Sequence, residues 1–206
     1  MRGWQIFTAY TPEYEPEARL LRKSMAQVGL HLASIPYEST GDWMRNCALT
    51  VEKTLVALDW LHPAPLVWID SDARVLQKPI LFDEITADIG VHKRCNKHGG
   101  GFHYNSGTIY WANNGKVREF LTHQFNLLER YRETRAGVYP YMNHMLTVEP
   151  HDLEIYELPL EYSFIEGTEQ PEEQIPFGRV VILHTQASRR LSKVVRDGDS
   201  NSDIPE

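Results

Sequence analysis

Residues 66–72 read Leu66-Val67-Trp68-Ile69-Asp70-Ser71-Asp72, so that four apolar residues are followed directly by a pair of aspartates separated by one serine. A continuous apolar run of this kind is typical of a strand that is buried on both faces of a sheet. In open α/β sheets, ligands bind beyond the carboxyl ends of the strands. The stretch therefore predicts a central strand with oxygen ligands at its end, although Asp-Ser-Asp is also a common ordinary turn.

Two strand–helix units precede this stretch. Residues 4–10 are rich in aromatic and β-branched side chains, which favours a strand. Thr11-Pro12 then predicts a helix start and Gly29 a helix end. Residues 30–36 predict a second strand, and Gly41-Asp42 opens a helix that runs to about Leu61. This alternation of strands and helices indicates a parallel α/β sheet in the first third of the chain.

The pattern changes after residue 72, where strands no longer alternate regularly with helices. Two strands are predicted around a glycine-rich loop, followed by a long helix, a short helix and two further strands. The loop at 167–178 is acidic and contains proline, so we expect it to be mobile. The predicted strands are 88–92, 108–112, 154–158 and 179–183; the long helix ends near Thr134 and the short one follows Pro140.

Composition limits the classes of protein that remain. The chain has 206 residues, of which 42% are hydrophobic and 24% charged, as in an ordinary globular domain. No stretch approaches the roughly 18–20 apolar residues of a membrane helix, and the N-terminus does not resemble a signal peptide. We therefore expect one cytoplasmic domain over residues 1–196, with a polar, flexible tail at 197–206.

The net charge is −7, which argues against generic binding to nucleic acid or to an anionic membrane, because such binding needs clustered Lys and Arg. The two cysteines, Cys47 and Cys95, are far apart in the sequence and form no metal or redox motif. The acidic residues instead favour a chain that holds a cation.

Asp70 and Asp72 are the first candidate cation ligands. A pair of carboxylates suits Mg²⁺ or Mn²⁺ carrying a diphosphate. His184 follows the apolar run 180–183 and is a candidate third ligand, since histidine is the commonest metal ligand. A basic cluster follows that either neutralises a diphosphate or forms a solvated helix: Arg189, Arg190, Lys193 and Arg196.

A second candidate segment is Tyr104-Asn105-Ser106-Gly107-Thr108, which predicts a glycine-containing turn feeding a strand. Asn105 and Ser106 can hydrogen-bond a sugar, and Gly107 permits close approach of the backbone. The alternative is a plain loop-to-strand turn with no binding role.

Taken in order, these motifs resemble the nucleotide-diphospho-sugar transferases of GT-A fold. The likeness is greatest to small bacterial and phage members related to the glycogenin and galactosyltransferase-like group, and it covers most of residues 4–192. Asp70-Ser71-Asp72 matches the DxD motif of that family, Asn105-Ser106-Gly107 its asparagine–small–glycine segment, and His184 its C-terminal metal histidine. The resemblance implies a single α/β domain with a Rossmann-like mixed sheet flanked by helices.

The resemblance also implies roles for individual residues. Asp70, Asp72 and His184 would hold Mn²⁺ or Mg²⁺. The nucleotide sugar would contact residues from the first strand, the second helix and the motifs, namely Thr8, Tyr10, Thr11, Asn46, Lys53, Asp70, Ser71, Ser106, Gly107 and Arg190. Catalytic roles would fall to Asn105, Asn143, His144 and Arg189.

One segment departs from the family pattern. Asn143-His144 stands where many relatives have Asp-Gln on a helix near the acceptor. Asparagine can hydrogen-bond a hydroxyl but cannot take its proton, whereas His144 could serve as a base because its ordinary pKa lies near neutrality.

The expected function is therefore transfer of a sugar from a UDP-sugar to an acceptor hydroxyl, in a cytoplasm that would be the host's if the gene is carried by a phage. A bound metal would stabilise the diphosphate leaving group. The acceptor stays open between a glycan, a protein and a modified DNA base, and so does the stereochemical course.

The sequence also agrees with two alternative functions. Residues 66–76 also resemble the nucleophile strand of haloacid-dehalogenase-type phosphatases, with Asp70 attacking phosphate and Asp72 as acid. Against this, Ala73-Arg74 replaces the usual Gly-Thr, and a third of the chain precedes the strand. The second alternative is a non-catalytic nucleotide-binding module of the same fold, motivated by the departure at Asn143-His144.

Overall fold

The computed structural model describes residues 3–95, 101–134, 142–167 and 175–187. Its strands are β1 Gln5–Tyr10, β2 Leu32–Pro36, β3 Leu66–Ile69, β4 Ala73–Val75, β5 Ile89–Cys95, β6 Phe102–Trp111, β7 Ile155–Glu157, β8 Phe164–Ile165 and β9 Ile182–His184. Its helices are α1 Glu15–Gln27, α2 Trp43–Trp60, α3 Gly115–Thr134 and α4 Met142–Thr147. None of the helices in these ranges is long and apolar enough to cross a membrane.

Six strands form the main sheet, in the order β2-β1-β3-β6-β5-β7. The strands β2, β1 and β3 are parallel, as the strand–helix alternation predicts. The strand β6 runs antiparallel to both β3 and β5, and β7 is parallel to β5. The sheet is therefore mixed, which confirms the expected α/β architecture.

The core lies on both faces of this sheet. Leu66 and Trp68 of β3 pack on one side with α2 and α3, whereas Val67 and Ile69 pack on the other side with α1 and β4. All four β3 side chains are buried. The continuous apolar run at 66–69 is thus explained by burial on both faces.

The strand β6 begins six residues earlier than predicted, because it pairs with a β5 that extends to Cys95. The register between the two strands shifts, with Val91 opposite Ile109 but His92 opposite Asn105. Residues 106–108 therefore have no partner on β5 and form a bulge. The prediction of a turn before the strand is wrong, since Asn105-Ser106-Gly107 lies within β6.

A small second sheet has the order β4-β9-β8. Its strands β4 and β8 were not predicted, because two or three residues are too few to show a periodic pattern. The predicted strand at 179–183 is replaced by a 3-10 helix at Phe177–Arg179 and by β9. Pairing of Ala73 with His184 carries the C-terminal histidine to the end of β3.

Some predicted features lie outside the described residues. These are the tail at 197–206, most of the acidic loop at 167–178, Pro140, and the basic residues Arg189, Arg190, Lys193 and Arg196.

Candidate metal centre and nucleotide cleft

Asp70, Asp72 and His184 meet at the carboxyl end of β3. One possible ligand atom from each lies within 4.8 Å of the others. The two aspartates follow β3 directly, whereas His184 arrives through β9, which pairs with β4 immediately after Asp72. The small sheet thus brings together residues that are more than a hundred positions apart in the chain, as the motif order led us to expect.

The Asp70 side chain is held by its neighbours. Its Oδ1 accepts a hydrogen bond from Trp68 Nε1 at 3.1 Å, and its backbone N–H donates to Gly107 O at 2.9 Å. Burial, and next the charge of Asp72, raise the pKa of Asp70 to about 7. Two carboxylates in such surroundings repel each other, and a bound cation would relieve this repulsion.

Asp72 is tied to the segment that follows β9. Its Oδ2 accepts from Ala187 N at 2.7 Å, and its backbone carbonyl accepts from Thr185 Oγ1 at 2.9 Å. The second aspartate of the motif therefore has both a side-chain and a backbone attachment to the segment that directly follows His184.

His184 is buried, with 5% of its surface exposed. Burial lowers its pKa to about 4, so the imidazole is neutral at pH 7. Its Nε2 lies 2.9 Å from Thr108 Oγ1, which leaves Nδ1 as the ring nitrogen for a cation. A neutral imidazole with an available nitrogen is the form of histidine that binds metals.

Gly107 sits against this cluster because the bulge in β6 brings its backbone inward. A Cβ at this position would lie 2.8 Å from His184 Cε1, 3.0 Å from His184 Nδ1 and 3.3 Å from Asp70 Oδ2. Asn105 Oδ1 accepts from Gly107 N at 3.1 Å and so supports the bulge. Only glycine leaves the space between His184 and Asp70 open.

Two cavities adjoin the cluster and share Asp70 and Asp72. The smaller, of about 300 Å³, also contains Asn105, Gly107 and His184 in its wall. The larger is a cleft of about 640 Å³ between the end of β1, the segment after β2, and α2. The cluster therefore lies where the two cavities meet.

Several residues that were predicted to bind the nucleotide lie in the wall of the large cleft. The predicted residues in its wall are Tyr10, Thr11, Asn46, Asp70, Ser71 and Ser106. Asn46 Oδ1 accepts from Thr40 N at 3.0 Å and from Thr40 Oγ1 at 2.9 Å, so its side chain also holds the rim of the cleft.

Two predicted nucleotide residues lie elsewhere. Thr8 is fully buried in β1 and is absent from the walls of both cavities. Its side chain shares a face of β1 with Tyr10, but Thr8 lies two residues before the end of the strand and is covered there by the packed core. Lys53 also lies outside both walls, and its Nζ pairs with Glu52 at 3.1 Å.

Two tyrosines that we did not predict also line the cleft. Tyr14 follows the end of β1, and Tyr37 directly follows β2. Burial raises the pKa of both phenols, so both stay neutral at pH 7. Their positions beyond the carboxyl ends of parallel strands are the sequence signal that could have identified them.

The predicted catalytic residues Asn143 and His144 form hydrogen bonds away from the two cavities. Asn143 Oδ1 accepts from Tyr104 N at 2.9 Å, which fastens α4 to β6. His144 Nε2 lies 3.1 Å from Glu149 Oε1. Neither residue is part of the walls of the two cavities, so their catalytic roles stay predictions.

No protein-family model and no curated protein matches this chain. Solved structures do. The glycosyltransferase GlyE of Streptococcus pneumoniae TIGR4 is 17% identical with a TM-score of 0.62, over 88% of this chain and 54% of that one. The chain thus spans about half the length of GlyE.

Two other solved structures are matched over nearly their whole length. A glycosyltransferase involved in glycosylation of the major capsid of PBCV-1 is 14% identical with a TM-score of 0.66, over 93% of this chain and 98% of that one. An active-site mutant of LgtC is 12% identical with a TM-score of 0.52, over 98% of both chains. At these identities the likeness concerns the fold, and the chain has the GT-A fold that these glycosyltransferases share.

Proposed function

We propose that this protein is a metal-dependent glycosyltransferase that moves a sugar from a nucleoside-diphosphate sugar, with UDP-sugars as first candidates, to an acceptor hydroxyl. The observation that carries the proposal is the Asp70–Asp72–His184 cluster. It lies at the carboxyl end of β3, at the junction of a small cavity and a nucleotide-sized cleft. The GT-A fold of the chain supports the same function.

The residues present fit a divalent cation. Two carboxylates and one neutral imidazole are a donor set that suits Mn²⁺, and Mg²⁺ also binds carboxylate oxygens. Gly107 leaves the space beside the cluster open, since a Cβ there would touch both His184 and Asp70. When bound, such an ion would neutralise charge that develops on a diphosphate leaving group.

The proposed donor would occupy both cavities. The large cleft offers the Tyr10, Tyr14 and Tyr37 rings to a nucleoside, and flat aromatic rings suit a base because they stack. The smaller cavity would take the sugar, beside Asn105, whose Nδ2 is a donor for a sugar hydroxyl. Asp70 and Asp72 border both cavities, which supports a diphosphate that would lie between the two. The acceptor remains a glycan, a protein or a modified DNA base.

The test is to incubate purified protein with a panel of UDP-sugars and to measure UDP release with Mn²⁺, with Mg²⁺ and with EDTA. We expect release by transfer or slow hydrolysis that requires a divalent ion. We also expect UDP with Mn²⁺ to raise the melting temperature, because a ligand that binds only the folded state stabilises it. Equal UDP release in EDTA would contradict metal dependence.

The same experiment separates the remaining alternatives. Stabilisation by UDP with Mn²⁺ but no turnover over a broad acceptor panel would support the non-catalytic module. A phosphatase would instead release inorganic phosphate from phosphomonoesters and would not be stabilised by UDP.

We expect the affinity for Mn²⁺ to depend on pH through Asp70. Its pKa of about 7 is raised above the ordinary value of 3.8, so below pH 7 a proton must leave as the ion binds. The apparent affinity should fall by about tenfold for each pH unit below 7 and level off above about pH 8. His184, with a pKa of about 4, stays neutral in this range.

Isothermal titration calorimetry in buffers of different ionisation enthalpy measures the protons released. We expect about one proton per Mn²⁺ at pH 6 and almost none at pH 8. An affinity that is constant from pH 5.5 to pH 8 would show that Asp70 either does not bind the ion or is already ionised.

A further inference from the structure

A buried hydroxyl group lies beside His184 of the Asp70–Asp72–His184 cluster, and the proposed function assigns it no role. Thr108 is fully buried in β6, and its Oγ1 lies 2.9 Å from His184 Nε2. The residue comes directly after Gly107, so the bulge that opens the cluster also sets the position of this hydroxyl. The contact joins β6 to β9 across more than seventy residues of sequence.

We propose that Thr108 is a positioning residue that keeps His184 in the tautomer able to bind a cation through Nδ1, an inference that rests on the proposed function. The Nδ1 atom lies on the side of Gly107 and Asp70, since a single Cβ position is 3.0 Å from Nδ1 and 3.3 Å from Asp70 Oδ2. A ring nitrogen binds a metal only through its lone pair. The one proton of the neutral ring must therefore sit on Nε2.

A proton on Nε2 needs an acceptor, because the nitrogen is buried and an unsatisfied N–H in such a place costs free energy. Thr108 Oγ1 is at the right distance to accept it. Metal-binding histidines generally donate their second ring N–H to a fixed partner in this way. Here a threonine hydroxyl takes the place of the more usual carboxylate or carbonyl.

The experiment compares Thr108→Val, which keeps the shape but removes the hydroxyl, with Thr108→Ser, which keeps the hydroxyl. Mn²⁺ affinity is measured by calorimetry and by electron paramagnetic resonance of free Mn²⁺. We expect Thr108→Val to bind about 10–100-fold more weakly than the wild type, and Thr108→Ser to stay within about threefold. Ser163→Ala is the control. It also deletes a buried hydroxyl, but one that, unlike Thr108 Oγ1, has no hydrogen-bond partner among the described residues.

A second readout reports the tautomer itself. In ¹⁵N-histidine-labelled, metal-free protein, we expect the wild-type His184 to carry its proton on Nε2, where Thr108 Oγ1 accepts it, and Thr108→Val to lose this preference. A merely structural role of Thr108 would lower the melting temperature of the metal-free protein but leave the tautomer unchanged.

The outcomes separate this inference from the proposed function. Wild-type protein that binds no Mn²⁺ would contradict the proposed function. Wild-type binding with equal affinity in Thr108→Val, or equal weakening in Thr108→Ser, would overturn the role of Thr108 alone. If Thr108→Val does not fold, the pair Thr108→Ser and Thr108→Ala decides the question by the same measurements.

Discussion

Replacing Asp72 with asparagine is expected to abolish metal-dependent UDP release while leaving the fold intact. Asparagine keeps an amide oxygen that can accept from Ala187 N, as Asp72 Oδ2 does at 2.7 Å. The substitution removes only the negative charge, which is what a divalent cation needs most from this ligand. Loss of an outer partner of a metal ligand typically costs about 10–100-fold in affinity, so loss of a ligand's charge should cost more than about 100-fold.

Asp152→Asn is the matched control for Asp72→Asn. Its carboxylate is exposed and pairs with Lys116 at 3.2 Å on the surface, where an ion pair contributes little. Calorimetry with Mn²⁺ and the UDP-release assay measure both variants, and circular dichroism checks that they are folded. Wild-type Mn²⁺ affinity in Asp72→Asn would remove this residue from the metal centre.

Gly107→Ala is expected to have an effect of similar size for a steric reason. The added Cβ would lie 2.8 Å from His184 Cε1 and 3.0 Å from His184 Nδ1, closer than atoms can pack. The imidazole cannot turn aside cheaply, because it is buried and its Nε2 contacts Thr108. We expect the ring to be displaced from Asp70, with loss of Mn²⁺ binding and of UDP release, and a drop in stability of about 1–3 kcal/mol.

Gly115→Ala provides the comparison for Gly107→Ala. A Cβ at this position meets nothing within 4 Å, and the residue is the first of α3, where alanine is tolerated. Gly107 does not have a positive φ, so backbone strain does not contribute to the difference between the two variants. Undiminished Mn²⁺ affinity in Gly107→Ala would show that the space beside His184 is not needed for the ion.

Much of the candidate metal centre was predictable from the sequence because its position follows from a local rule. An apolar run buried on both faces must be a central strand, and the residues just beyond it must lie at the ligand-binding edge of the sheet. Asp70 and Asp72 satisfy this rule by themselves. This rule could not identify His184, because nothing in the neighbouring residues distinguishes it from any other histidine after a strand. The prediction of His184 depended on the order of the motifs along the chain.

Other parts of the site depended on pairings between distant strands. The bulge at residues 106–108 arises from the register of β5 against β6, and no residue of β6 alone reveals that shift. The pairing of β4 with β9 carries His184 to Asp72, yet these strands are too short to show a pattern. Thr8 lies on the same face of β1 as Tyr10 but two residues before the end of the strand, where it is buried, so its role in the nucleotide site stays a prediction.

Neighbouring residues are enough to specify the alternation of strands and helices, the central strand at 66–69 and the two carboxylates that follow it. The three-dimensional structure was needed to show that Gly107 and Thr108 touch His184 and that Asn143 fastens α4 to β6. Those contacts depend on strand register and on packing between distant segments. Such distances are set by the whole fold, so short motifs do not contain them.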